Sequence, residues 1–314
     1  ADRFAVGTLD EAVELREAGI QKPILILLGL LDGDPELLFE HHLTPVVYDL
    51  QTAQRLNLLA EKKKKILPIH LKIDTGMTRL GITPQDWPDF LKEFKNCPFL
   101  QVEGVLSHLA EAGDDDYTEF QRTHFEKMVS QLKEAGIKPA WFHLSNSIES
   151  LQPNKKGNLV RLGIVLYGAL PIRPLPQEVS LKPVMTVKTK IVSLKKVSAG
   201  TCVSYNRIFK TKRESRIGVL PIGYADGYPR LLSNKADLLV RGKRVPVLGT
   251  VCMDMMMIDL TDFPEVAVGE EVVVLGRQGD EEIRAEELAE KAQTIAYEIF
   301  TNFSTRLRRE YIKT

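Results

Sequence analysis

The segment Arg161-Leu-Gly-Ile-Val-Leu-Tyr-Gly168 sets a guanidinium beside two glycines, inside an apolar run from Leu159 to Leu170. An arginine at the end of a buried strand needs an acceptor, because an unpaired buried charge is very costly. Gly163 and Ile164 offer backbone N–H groups with little side-chain cover, a cradle suited to phosphate. Two readings stand for these residues by themselves: an anion site at the mouth of a sheet, or a core strand with a salt-bridged arginine. Other chemistry-bearing residues also follow apolar runs. Lys72-Ile-Asp-Thr-Gly-Met-Thr-Arg79 puts a lysine at the end of one run and an arginine in the loop after it. A lysine facing inward requires a lowered pKa or an anionic partner. His108 ends another run, and His143-Leu-Ser-Asn-Ser147 ends the next. Taken singly, each histidine reads as a satisfied core residue. On successive strand ends, these residues gather a hydroxyl, backbone amides, a guanidinium, two imidazoles and a lysine. That set is the inventory of a cofactor site.

Strand ends are where parallel α/β barrels keep their chemistry, so the order of elements matters. Apolar runs predict strands over residues 3–8, 23–31, 43–50, 68–74, 100–109, 140–144 and 159–168. Helices are predicted over 9–19, after Asp34-Pro35-Glu36, and over 51–65, 83–96 and 117–136. Seven strand–helix steps with short connections argue for a parallel barrel rather than an open sheet. The expectation is an α/β (β/α)8 TIM-type barrel whose first strand–helix unit is missing at the N-terminal side. Pro171-Ile-Arg-Pro-Leu-Pro176 marks a linker or sharp turn. Beyond it, alternating runs at 184–192, 216–222, 238–240, 245–248 and 272–275 predict a mostly antiparallel β-domain. Residues 285–300 read as one amphipathic helix. The expected domains are a barrel over 1–175 and a β-domain over 176–314.

Composition narrows the function classes. The 42 basic and 42 acidic residues cancel, so no basic excess points to nucleic acid or an anionic membrane surface. The run Lys62–Lys65 reads as the solvated end of a helix. Cys97, Cys202 and Cys252 are widely spaced, fitting free thiols in a reducing compartment and no metal-ligand pattern. With no leader-like segment and no apolar run of membrane-spanning length, the reading is a cytoplasmic protein.

The sequence resembles the alanine racemase family, whose pyridoxal-phosphate-dependent members pair a (β/α)8 barrel with a C-terminal β-domain. The markers are Lys72–Arg79, His143–Ser147, Arg161–Gly168, Val203-Ser-Tyr-Asn206, Gly223-Tyr-Ala-Asp-Gly227, Gly249–Asp254 and Tyr297-Glu298. The resemblance implies that Ser147, Gly163, Ile164 and Tyr297 hold the cofactor phosphate. It implies that Arg161, steadied by His143, donates to the pyridine nitrogen. Tyr205 becomes one of two acid/base groups with His108 in its network, and Arg79 pairs with the substrate carboxylate and with Tyr205. Lys72 matches a position often carbamylated in the family. Tyr224, Met253 and Asp254 come with Tyr205 from the partner subunit of a head-to-tail homodimer.

The implied activity is two-base interconversion of L- and D-alanine for peptidoglycan precursors. A serine racemase and a non-catalytic relative are the alternatives. In the family a lysine in a run close to Val-Lys-Ala-Asn-Ala-Tyr-Gly-His-Gly forms the Schiff base, and no such run occurs here. The expectation is therefore that the catalytic lysine resides in a separate N-terminal peptide, that the sequence is the larger part of a whole enzyme, or that the chain is a degenerate homologue.

Overall fold

A computed structural model describes residues 1–30, 33–112, 115–151, 157–170 and 180–312. The expected turn at Pro171–Pro176, and with it the expected 175/176 boundary, lies outside the described residues. The chain forms two compact units, Ala1–Gly163 and Ile164–Thr314.

The first unit alternates strand and helix: β1 (Phe4–Val6), α1 (Leu9–Glu17), β2 (Ile24–Ile26), α2 (Leu37–Glu40), β3 (Thr44–Val47), α3 (Leu50–Lys63), β4 (Leu67–Lys72), α4 (Trp87–Phe94), β5 (Leu100–Leu106), α5 (Asp115–Glu134) and β6 (Trp141–His143). The helix starts are written locally. Thr8 Oγ1 accepts from the Glu11 amide while the Glu11 carboxylate accepts from the Thr8 amide, a reciprocal capping box. Asp49 caps α3 through the Thr52 amide at 2.7 Å. That helix ends at Lys62 and Lys63, leaving through Lys64 at φ 51°, so the basic run is a helix end as expected. The six strands pair in sequence order as one parallel sheet. Its helix-facing side buries Ile24, Ile26, Leu56, Ile69, Trp87, Phe90 and Leu132. The other side packs Leu25, Val46 and Leu106 together with Leu27 and Tyr48. A sheet apolar on both faces, curled round a small inner cluster, is the half-barrel geometry of this fold.

The seventh expected strand is corrected. Residues 158–161 run beside β6, with the Asn158 amide donating to Phe142 O and the Arg161 amide to Ser145 O at 3.0 Å. No strand forms there, and Ile164–Tyr167 is a 3-10 turn. Gly168 at φ 76° is incompatible with an extended ladder, and Leu162, Leu166 and Tyr167 are exposed. Among the described residues the sheet has six strands, with β1 and β6 outermost.

The second unit is built from β7 (Val187–Lys190), β8 (Ser193–Val197), β9 (Cys202–Val203), β10 (Phe209–Lys210), β11 (Ser215–Leu220), β12 (Asp237–Val240), β13 (Lys243–Leu248), β14 (Met256–Asp259), β15 (Glu271–Gln278) and β16 (Glu281–Ile283), then α6 (Ala285–Ala292) and α7 (Ala296–Asn302). An antiparallel sheet runs β16-β15-β12-β13-β14-β11-β8, with β7 on β15, and β9 pairs with β10. Leu238, Leu239, Val240, Val272, Val273 and Val274 are fully buried at its centre. The single helix expected over 285–300 is two, because Gln293 turns left-handed at φ 58° and ends α6. The break lets Leu288 and Ala292 of one helix and Ile299 of the next bury in the same core.

Candidate functional site

Arg161 is the hub of the first unit. One guanidinium nitrogen donates to His143 Nδ1 at 3.0 Å and to His143 O at 2.5 Å. The other donates to Ser107 O at 2.7 Å and Leu144 O at 3.2 Å, and meets His108 Nδ1 at 3.3 Å. The contacts come from the ends of β5 and β6 and the residues just past them, so the sheet itself fixes the guanidinium plane. Since a guanidinium only donates, both imidazoles present an unprotonated Nδ1 to it. Burial, then the Arg161 charge, pushes His143 well below the ordinary imidazole range. Burial, with Arg161, Arg79 and Lys72 behind it, takes His108 down to about 4. Both rings are neutral near pH 7.

Lys72 ends β4 and is buried at 7 % exposure. Burial, then the Arg79 and Arg161 cations, brings its ammonium down to about 8. Arg79 sits on an exposed loop ordered by Asp74, whose carboxylate accepts from the amides of Gly76 and Thr78. Thr75 Oγ1, Ser107 Oγ and Gln121 form a buried polar knot, with Gln121 donating to His108 O at 3.0 Å. It ties α5 to the loops that follow β4 and β5.

After β6, Asn146 Oδ1 accepts from the amides of Ile148 and Glu149, holding Ser147 in a tight turn. The Gly163 amide donates to Ser147 Oγ at 2.8 Å. A Cβ on Gly163 would meet only that oxygen, at 3.7 Å, so the amide–hydroxyl pair has room beside it. The donor chemistry fits a phosphate, and the neighbouring Arg161 fits an acceptor nitrogen on the same group.

Four predicted residues gather in the second unit. Tyr205 stands on a turn where Ser204, Asn206 and Arg207 all have positive φ, at 68°, 61° and 52°. Its carbonyl accepts from Thr250 Oγ1, and Ser204 Oγ donates to Thr250 O. Gly223 presses on the 252–253 backbone so closely that a Cβ would lie 2.3 Å from Cys252 O and 2.4 Å from Met253 O. The Tyr224 and Ala225 amides donate to those carbonyls. Thus Tyr205, Tyr224, Met253 and Asp254 are stitched together, with the first three 68 %, 42 % and 53 % exposed. Tyr205 opens a 3-10 turn, and β14 starts at Met256, after the loop that carries Met253 and Asp254. Tyr297 lies elsewhere in this unit. It begins α7 and borders a cavity of about 520 Å³ with Leu170, Arg284, Glu286 and Thr294. Ile164 opens the unit's first turn.

Residues 1–171 match the family model described as alanine racemase, N-terminal domain, and residues 184–311 match the C-terminal domain model. The chain belongs to the alanine racemase family. An alanine racemase of Halothermothrix orenii is 45 % identical over 312 residues, covering 98 % of this chain and 82 % of the relative. A solved alanine racemase of Bacillus anthracis with bound L-Ala-P is 39 % identical at TM-score 0.87, covering 98 % of this chain and 80 % of that one. A Bartonella henselae alanine racemase solved with covalently bound pyridoxal phosphate is 28 % identical at TM-score 0.87, covering 99 % and 85 %. The family's cofactor is pyridoxal phosphate.

The residues singled out from the sequence fall in two sets. Lys72, Arg79, His108, His143, Ser147, Arg161 and Gly163 belong to the first unit, and Ile164, Tyr205, Tyr224, Met253, Asp254 and Tyr297 to the second. Sequence reasoning missed His70, which reaches the Arg161 hub through His143, and Glu103, which faces His70. The available signal was the spacing Ile69-His-Leu-Lys72, which puts His70 on the same strand face as Lys72.

Proposed function

We propose that this protein is an alanine racemase interconverting L- and D-alanine on pyridoxal phosphate, supplying D-alanine for peptidoglycan precursors. The observation that carries the reading is Arg161, fixed by His143 Nδ1 and three backbone carbonyls beside the Ser147–Gly163 pair. Ser147, Gly163, Ile164 and Tyr297 would hold the phosphate, and Arg161 would donate to the pyridine nitrogen. When bound, the cofactor lowers the barrier to removing the α-proton of the amino acid. Arg161 sets the limit of that effect. Its pKa is brought down to about 10 by burial and by Arg79, so it remains a cation near pH 7 and keeps its protons. Arg161 would therefore hold the acceptor nitrogen by a hydrogen bond without protonating it, which would keep the cofactor a weak electron sink and favour return of a proton to the α-carbon over transamination.

Tyr205 gives or takes a proton on one face of the α-carbon, with His108 in its network, and Arg79 pairs with the substrate carboxylate. The exposed group Tyr205, Tyr224, Met253 and Asp254 serves the site of a second copy in a head-to-tail homodimer. Lys72, with its lowered ammonium pKa, suits carbamylation, which would turn it into an anion that holds Arg79. No run close to the family's Val-Lys-Ala-Asn-Ala-Tyr-Gly-His-Gly occurs in residues 1–314.

The test is intact mass before and after borohydride reduction in the presence of pyridoxal phosphate, paired with L-alanine turnover in D2O. A cofactor-sized mass gain on an identified polypeptide, with D-alanine carrying solvent deuterium, supports the reading. No gain and no exchange would overturn it and leave a non-catalytic member of the family.

A further inference from the structure

We propose that His70 and Glu103 are positioning residues: through a one-way chain of contacts they hold the His143 ring so that its Nδ1 always faces Arg161. The chain starts at the guanidinium, which cannot accept. His143 Nδ1 must therefore carry the lone pair, and the proton of the neutral ring sits on Nε2. His143 Nε2 lies 2.8 Å from His70 Nδ1, so the first ring donates to the second. The His70 proton is then on its own Nε2, which makes no hydrogen bond among the described residues and faces Glu103 Oε2 at 3.8 Å. That carboxylate is itself held by Arg3 at 3.0 Å, and the Arg3 guanidinium lies over the Trp141 ring.

Two backbone features exist to make this chain possible. His70 is on β4 and His143 on β6, about 10 Å apart across two strand spacings. Their rings meet over β5 because Gly104, paired with both His70 and Trp141, has no side chain. A Cβ there would fall 2.3 Å from the His70 ring. Just before it, Ile69 pairs with Val102 and His70 with Gly104, so Glu103 is an extra residue in a bulge. Bulges re-aim side chains, and this one turns Glu103 toward His70. A merely buried histidine would need neither the hole nor the bulge. The charged groups facing the chain are Arg3 and Glu103 at one end and Arg161 at the other, with Lys72 and Arg79 acting on Arg161 or His108. Burial of both rings opposes a second proton on either one.

The hydrogen-bond chain rests on this protein's geometry; its consequence for the pyridine nitrogen rests on the proposed function. The test compares His70→Gln with His70→Leu in the purified full-length protein. Gln retains an acceptor for His143 Nε2–H, and Leu does not. Imidazole 15N spectra give the readout without cofactor. Wild type and His70→Gln are expected to show His143 as a single Nε2–H tautomer. His70→Leu is expected to show mixed tautomers as the unpaired ring turns over. Gly104→Ala, which displaces the ring and removes no titratable group, is expected to act like His70→Leu. A pyridoxal-phosphate titration should then show affinity falling on the order of 10-fold for His70→Leu, the size of one buried hydrogen bond, and recovering in His70→Gln.

A single unchanged His143 tautomer in folded His70→Leu and Gly104→Ala would overturn the positioning role. Tautomers that mix as expected with no change in cofactor affinity would uphold the chain of contacts and overturn its link to the cofactor.

Discussion

The two groups of functional side chains are built on opposite principles. In the first unit the imidazoles and the guanidinium are sunk among strand ends, and His70 and His143 are almost fully buried. Their protonation is set by burial and by neighbouring cations. In the second unit Tyr205, Tyr224 and Met253 stand exposed, and their protein surroundings control the backbone beneath them. Three successive constraints do that work: the positive-φ turn around Tyr205, the Ser204–Thr250 bond, and the collision that any Cβ on Gly223 would cause. One region stores its precision in side-chain hydrogen bonds, the other in conformations that ordinary residues resist.

This contrast predicts different failures. The largest effect is expected for Arg161→Met, which strands the carbonyls of Ser107, His143 and Leu144 in a buried place. At about 1–3 kcal/mol for each orphaned acceptor, the first unit should lose a large part of its stability, read as a fall in urea midpoint. Gly223→Ala comes next, at about 1–3 kcal/mol for overpacking against a rigid backbone. Its racemase activity should fall further than its stability, because Tyr224 and Met253 shift with the loop. Steady-state kinetics beside the denaturation curve separates the two.

A third prediction is pH-dependent and belongs to the first unit alone. The folded pKa values of His70, His108 and His143 are all depressed. Below the unfolded value of ~6.5 the unfolded chain binds more protons than the folded one. Stability should therefore be complete above that value and decline as pH falls toward about 4, where His108 titrates in the folded state. His108→Phe should flatten part of this slope in pH-resolved melting. Lys72 acts in the same sense at higher pH, its cost being relieved only as pH rises above about 8. Its ammonium is brought down to about 8, so Lys72→Met should stabilise the protein near pH 7 in carbonate-free buffer, with the gain shrinking in bicarbonate if the wild-type amine takes up carbon dioxide. The smallest effect is expected for Asp254→Asn. Its bond to Arg306 at 2.7 Å joins two half-exposed side chains, and such pairs contribute ~0.2–1 kcal/mol.

Much of this arrangement is legible in the sequence because it depends on residue order. Apolar runs ending in Lys72, His108 or His143 place those side chains at strand ends, and Asp34-Pro35-Glu36 announces a helix start. The parts that were not legible depend on pairing or on conformation. Residues 159–168 carry the composition of a strand, yet Gly168 adopts a left-handed conformation that no composition reveals. Gln293 breaks a helix with no glycine or proline to mark it. The short polar strand Ser193–Val197 exists because β11 lies beside it. The bulge at Glu103 is a register difference between two strands, visible only when both are in place.

The one-sidedness of the Arg161–His143–His70 contacts has an electrical consequence. Two neutral imidazoles joined nose to tail point their dipoles the same way, and hydrogen-bonded dipoles in series polarise one another. Their negative ends face the guanidinium, so Arg161 is stabilised by a field from groups that carry no net charge. Buried charges and dipoles are screened much less by dissolved salt than exposed ones, so ionic strength should alter the surface pairs of this protein well before it loosens the grip on Arg161.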